Sequence, residues 1–252
     1  MVFLPINDSN KRIWIRYHYV TLALIAVCAL MYVVQQSGGW EASRRLILGL
    51  GVILSVLFGS RELDPALVLL LPVATLASSL FLHSGFMHLF SNMLFLWVFG
   101  DNIEDSMGHG RFLAFFLACG SVASLVHALG VPDSEAPLIG ASGAISGILG
   151  AYLVLHPKVK VWVLLFALIP MRLPTFLILG LWAVIQFANS IGGGAEAANI
   201  SWSAHVAGFV TGAALIPFFR YPHVKLFDTS PDGTIDIGGV RLRARHLWGR
   251  KR

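Results

Sequence analysis

The sequence predicts an all-α fold: a polytopic membrane protein built as a bundle of six transmembrane helices. Three observations point there. The 252 residues are 56% hydrophobic and only 12% charged, about half the charged share of an ordinary soluble domain. Six stretches approach the ~20 predominantly apolar residues that a spanning helix needs. Finally, 14 of the 18 Lys and Arg fall into three segments that an even number of crossings returns to one side of a bilayer.

The chain divides into an N-terminal segment (1–17), a membrane domain (18–220) and a basic tail (221–252). The first span, 18–36, follows Lys11, Arg12 and Arg16. That pattern resembles a signal peptide, but Gln35-Gln36-Ser37-Gly38-Gly39 leads into Trp40 without a small-residue cleavage site, so the span is expected to be retained. The connection 37–82 is itself apolar ("LILGLGVILSVLFG", "PALVLLLP") yet broken by Gly59, Arg61, Glu62, Asp64 and Pro65. A half-inserted or interfacial segment is expected there, because a seventh span would put the charged termini on opposite faces.

Further spans are expected over 86–105, 111–130, 142–156, 173–190 and 203–220. The fourth is short, and the apolar run 161–169 beyond Lys158 and Lys160 blurs its inner end. At the turn after the second span, Asp101, Glu104 and Asp105 outnumber Arg111, against the charge bias, although acidic residues weigh little in it. The connection "SIGGGAEAANISWS" (190–203) reads either as a lid or as an ordinary flexible loop. Residues 222–252 read as a solvated tail whose basic end touches anionic headgroups. Both termini are expected to be cytoplasmic. The net charge of +5 then reflects topology and lipid contact, with no nucleic-acid partner. Cys28 and Cys119 fall inside spans and read as small core residues without a disulfide.

Chemistry gathers at the outer ends of three spans. Ser142 stands where the chain begins the fourth helix, flanked by Gly140 and Gly143. Glycine permits a tight turn there, and a helix start offers unpaired N–H groups to developing negative charge. Ser142, Ser146 and Gly150 share one face, while Gly143, Gly147 and Ala151 form the next; such rows of small residues let another helix pack against the backbone. In the sixth span His205, Gly208 and Gly212 share a face, so two helices meeting along their glycines would bring His205 beside Ser142. In the second span His88 and Asn92 are i, i+4, hydrogen-bond donors that need carry no charge and so suit an oxyanion. His83, one short segment earlier, reads as a structural hydrogen bonder that ties down a loop.

A zinc site of His83, His88 and His205 is the alternative. It offers no carboxylate at that depth and leaves Ser142 without a role, so no metal or cofactor is expected. His127 and His156 have no partners in the pattern and read as packing or interfacial residues.

Taken together, "HSGFMHLFSN" (83–92), "GASGAISG" (140–147) and "AHVAGFVTG" (204–212), in that order, resemble the rhomboid family of intramembrane serine proteases. The resemblance runs from Thr75 to Gly212. It implies a six-span bundle with Ser142 as nucleophile and His205 as its base. It also implies an oxyanion hole of the His88 and Asn92 side chains and the Ser142 N–H, with Gly143 adjoining. The implied partners are single-span membrane proteins, cleaved in or near their spanning segments, and membrane lipids.

Two departures stand out. Many members carry an aromatic residue four positions after the nucleophile, where this chain has Ser146, so the imidazole must be oriented in another way. Some carry a Trp-Arg pair in the first loop, where this chain reads "VATLASS", so that loop needs a different anchor. With no Asp or Glu at the depth of Ser142 and His205, a dyad acting through an acyl-enzyme is expected. A non-catalytic relative would usually lack one of the two, and a transporter would lead one to expect inverted repeats or paired broken helices. Six spans with basic inner loops fit a bacterial plasma membrane.

Overall fold

The computed structural model describes residues 3–165, 168–191, 201–228, 234–237 and 240–243. It opens with strand β1 (Phe3–Asp8) and helix α1 (Tyr19–Ser37). The 37–82 connection holds α2 (Gly39–Leu50), the two-residue strand β2 (Val52–Ile53), α3 (Leu54–Leu57) and α4 (Thr75–Ser78). Next come α5 (Phe86–Met107), α6 (His109–Gly130), β3 (Pro137–Leu138) and α7 (Ser142–Leu155). Strands β4 (Lys160–Leu165) and β5 (Ile169–Pro174) precede α8 (Thr175–Ile191) and α9 (Trp202–Phe219). An antiparallel pair, β6 (Thr234–Ile237) and β7 (Val240–Arg243), follows.

Every expected spanning stretch is helical, and the chain is mostly helix. By length and apolarity alone, α1, α6 and α9 can cross a bilayer. A fourth span arises if α5 is joined to Pro65–Phe81, from which it bends by 82°. Helices α7 and α8 have only 14 and 17 residues; at 1.5 Å per residue α7 covers about 21 Å.

The all-α expectation omits a sheet. Strands β1, β4 and β5 form an antiparallel sheet in the order β1-β4-β5. The apolar run after Lys160 is therefore strand rather than helix: Val161 and Val163 are buried while Trp162 between them is exposed, the period-two pattern of a half-buried strand. Pro5 sits on the edge strand beside a register shift, where a missing N–H is tolerated.

The acidic residues expected in a turn lie in the last turns of α5 and have a structural purpose. The Asp105 carboxylate accepts the backbone N–H of Ile13, Trp14 and Ile15 at 2.6–2.7 Å. Glu104 accepts those of Val20 and Thr21 at 3.0 and 2.8 Å and the Thr21 hydroxyl at 2.6 Å. Val20 and Thr21 are orphan donors in the first turn of α1, capped by a carboxylate from another helix, while Ile13–Ile15 belong to the segment that leads into it. Asn102 Nδ2 donates to Asp8 Oδ2 at 2.8 Å, and the Tyr152 hydroxyl donates to the same oxygen. At the same end, the N–H of Tyr221 meets the Ser106 carbonyl, and those of Phe227 and Asp228 meet Val154 and Leu155. The N-terminal segment, the β4–β5 hairpin and residues 221–228 thus share one end of the bundle.

The 37–82 connection has no helix long enough to span; α2 has 12 residues. Trp40, Phe58, Leu71 and Val73 are exposed along it, the surface an interfacial segment presents to lipid. It is anchored without a Trp-Arg pair. The Gln35 amide bonds both the N–H and the carbonyl of His83 at 3.1 Å, Ser78 Oγ donates to the Leu50 carbonyl at 2.7 Å, and β2 pairs with β3.

The two central helices meet backbone to backbone. A β-carbon on Gly208 would fall 2.1 Å from the Gly143 carbonyl oxygen, and one on Gly212 would fall 1.9 Å from that of Gly147. Cys28 and Cys119 are both free and buried, and Cys119 packs against Gly147.

Two consequences can be measured. Gly212→Ala forces α9 away from α7 and lowers the melting temperature in detergent, by the equivalent of about 1–3 kcal/mol or more. Gly180→Ala, on α8 where a β-carbon meets nothing within 4 Å, leaves it unchanged or raised. Burial pushes the Asp8 carboxyl up to about 7, with Asp101 nearby adding to the effect. Its folded pKa thus lies above the unfolded value, so its contribution to stability is complete below about pH 4 and is lost as pH rises through about 7. A melting series over that range falls for the wild type and flattens for Asp8→Asn.

Candidate active site

Ser142 is the first residue of α7, reached through a backbone turn that only glycine makes easily: Gly140 has φ +119°. The Gly140 N–H is pinned to the Ser79 carbonyl at 2.9 Å. The turn leaves Ser142 only partly covered while α7 below it is buried. His205, in the first turn of α9, accepts or shares the serine proton directly: Nε2 lies 2.9 Å from Ser142 Oγ. The helix contact at Gly143–Gly208 and Gly147–Gly212 continues below the pair.

His88 and Asn92 close the other side. A β-carbon on Gly140 would lie 2.8 Å from His88 Nε2 and 3.9 Å from Asn92 Nδ2, so both groups crowd the turn that presents Ser142. Ser84 approaches His88 Nδ1 with its hydroxyl at 3.0 Å and its N–H at 3.5 Å. A backbone N–H can only donate, so Nδ1 is the acceptor and Nε2, facing Gly140, carries the proton. Asn92 is 6% exposed, and its Nδ2 is buried without a hydrogen-bond partner. An unsatisfied buried donor costs ~1–3 kcal/mol; here it lies against the Gly140 turn that presents Ser142.

Some expected roles change. His83 is fully buried, with its ring 5.2 Å from His88 in an edge-on arrangement. Its ring nitrogens have no hydrogen-bond partner; the loop is tied down through its backbone by Gln35 instead. Ser146 donates to the Ser142 carbonyl at 2.7 Å, one helical turn back. His127, expected to be without a partner, meets Ser203 Oγ through Nδ1 at 2.6 Å. His156 packs edge-on against Tyr152. Among the described residues no metal-ligand cluster forms, and both nitrogens of His205 are already engaged with Ser142 and Gln186. The 190–203 connection falls largely on residues 192–200, outside the described residues, as does the basic end of the tail at 244–252.

Three neighbours of the imidazole went unread in the sequence. Gln186 Oε1 lies 2.8 Å from His205 Nδ1. Trp182 and Trp202 have ring centroids 6.2 Å from that of His205. A lone glutamine four residues after a tryptophan in "LWAVIQFANSI" was the available signal, since a polar side chain within an apolar helix is costly unless it has a partner.

A hydroxyl in contact with an imidazole, beside a buried amide that has nothing to bond, is set here into a helical membrane bundle. The Rhomboid domain matches over residues 72–222, more than half the chain, and the chain belongs to the rhomboid family. It is 34% identical over 140 residues to rhomboid protease GluP of Bacillus subtilis, covering 54% of this chain and 24% of that protein. With rhomboid protein 1, mitochondrial, of Saccharomyces cerevisiae it shares 28% over 143 residues, 55% of this chain and 39% of that one. Putative rhomboid protease YdcA of Bacillus subtilis is 27% identical over 151 residues, 56% and 64% of the two chains. The aligned region thus spans less than two thirds of each of these relatives.

Proposed function

We propose that this protein is an intramembrane serine endopeptidase that cleaves single-span membrane proteins within or near their spanning segments. The observation that carries the reading is the 2.9 Å contact between Ser142 Oγ and His205 Nε2, set beside the unpartnered Asn92 amide. His205 takes the Ser142 proton as Oγ bonds to the scissile carbonyl carbon. The resulting oxyanion is received by the Asn92 amide, the His88 Nε2–H and the Ser142 N–H at the start of α7. The C–N bond then breaks, the leaving amine takes the proton from His205, and an acyl-enzyme remains. His205 next deprotonates a water that attacks the ester and frees Ser142.

The substrate must offer an extended peptide, because helical carbonyls are already bonded and shielded. Segments weak in helix propensity near the outer membrane face are therefore preferred. The proposed topology has six spans and both termini in the cytoplasm of a bacterium, with the protein in its plasma membrane. It is supported by the common end shared by the N-terminal segment, the β4–β5 hairpin and residues 221–228. The short α7 sets Ser142 below the surface, where water reaches it from outside.

The test is cleavage of a single-span model substrate by the protein in proteoliposomes, with fluorophosphonate labelling alongside. Ser142→Ala abolishes both, and Asn92→Ala slows cleavage by about 10²–10³-fold at unchanged melting temperature. Cleavage by Ser142→Ala at the wild-type rate would overturn the proposal.

A further inference from the structure

We propose that Gln186 is a positioning residue for His205, so that the site works as a Ser142–His205–Gln186 relay with an uncharged third member. The inference rests on the protease reading above and deepens it.

Gln186 is 5% exposed and comes from α8, a different helix from both of its partners. Its Oε1 lies 2.8 Å from His205 Nδ1, while Nε2 of the same ring meets Ser142 Oγ. An amide oxygen only accepts, so Nδ1 carries the proton and Nε2 presents its lone pair to the serine hydroxyl. That is the tautomer a general base requires; the other would leave Nε2 protonated and unable to receive the serine proton.

The rest of the surroundings cannot set the tautomer. Ser146, at the position from which an aromatic ring could have packed on the imidazole, is turned back onto the Ser142 carbonyl. Trp182 and Trp202 border the ring at 6.2 Å and limit its tilt, but a ring face does not choose between nitrogens. The titratable groups that act on His205 are His88 and His127, each engaged with its own serine. Past Leu179, Gln186 is the only buried residue of α8, and its amide and the Trp182 ring are what this half of the helix sets against His205.

The experiment compares wild type, Gln186→Leu and Gln186→Glu in proteoliposomes, with kcat and KM followed across pH and folding checked by melting temperature. Gln186→Leu keeps the volume and loses the acceptor. Its kcat falls at least tenfold and at most about 10⁴-fold, the full worth of a positioned general base, with KM little changed. Gln186→Glu restores the acceptor and most of the rate. Its carboxylate also favours the imidazolium, so the acid limb of the profile moves to higher pH. Retention of wild-type kcat and profile by Gln186→Leu would refute the assignment. So would equal losses in both variants with the acid limb unmoved.

A second measurement does not depend on turnover. Nitrogen-15 NMR of labelled histidine in micelles shows His205 protonated at Nδ1 in the wild type and a mixture of tautomers in Gln186→Leu. Protonation at Nε2 in the wild type would overturn the proposal even if no substrate were cleaved. A correct tautomer with no Ser142-dependent cleavage would instead count against the protease reading alone.

Discussion

With no β-carbon at Gly143, Gly147, Gly208 or Gly212, α7 and α9 approach until the carbonyl of Gly143 lies over Gly208 and that of Gly147 over Gly212. In lipid there is no hydrophobic gain from bringing two apolar helices together, so such contacts rest on close packing of backbone atoms. Both pairs share one register, and that register carries upward to Ser142 and His205. A side chain at Gly208 or Gly212 would push α9 off α7, while one at Gly143 or Gly147 would first meet Ala123 or Cys119 of α6. The 2.9 Å contact at the site is therefore a product of the glycines below it, and the site's chemistry depends on a packing constraint.

Buried polar groups fall into two kinds in this bundle. At the end shared by the N-terminal segment and residues 221–228, the carboxylates of Glu104 and Asp105 are buried among backbone N–H groups that would otherwise be orphaned, and each side satisfies the other. Asn92 Nδ2, like Ser55 Oγ and Arg220 Nε, is buried without a partner, and native structures contain few such groups. Asn92 stands apart because it lies against the Gly140 turn that presents Ser142, where a ligand could complete its bonding.

Much of this was legible in the sequence, for a definite reason. Small-residue spacing in "GASGAISG" and "AHVAGFVTG" reports helix faces directly, so the meeting of Ser142 with His205 followed from periodicity. The i, i+4 relation of His88 and Asn92 was legible in the same way. What stayed hidden depended on partners far along the chain. Asp101, Glu104 and Asp105 read as an exception to the charge bias, because the N–H groups that Glu104 and Asp105 accept, and the Arg12 that pairs with Asp101, lie some eighty to ninety positions earlier. The run 161–169 read as an extension of a span because a short apolar strand and a buried helix segment look alike; its pairing with Phe3–Asp8 decides the matter. His83 read as a hydrogen bonder that ties down a loop, but its partner Gln35, 48 positions away, was not legible, and Gln186 gave only the weak signal of one amide in an apolar helix.

The groups that meet at the site are a serine, three imidazoles and two amides, and none of them must carry a charge at rest. That choice follows from the medium. A carboxylate behind His205 would hold the imidazolium more firmly during the reaction, but it would have to be desolvated in a bundle that faces lipid, a cost of several kcal/mol per ion after relaxation. An amide imposes the same tautomer for the smaller penalty of a buried polar group that is hydrogen-bonded. The consequence is a base held by geometry with little help from charge, which shifts the burden of stabilising the transition state onto the donors around the oxyanion. In the proposed reaction the unpartnered amide of Asn92 is the counterpart of that division: it would receive the developing charge, and the group behind the base only has to point it.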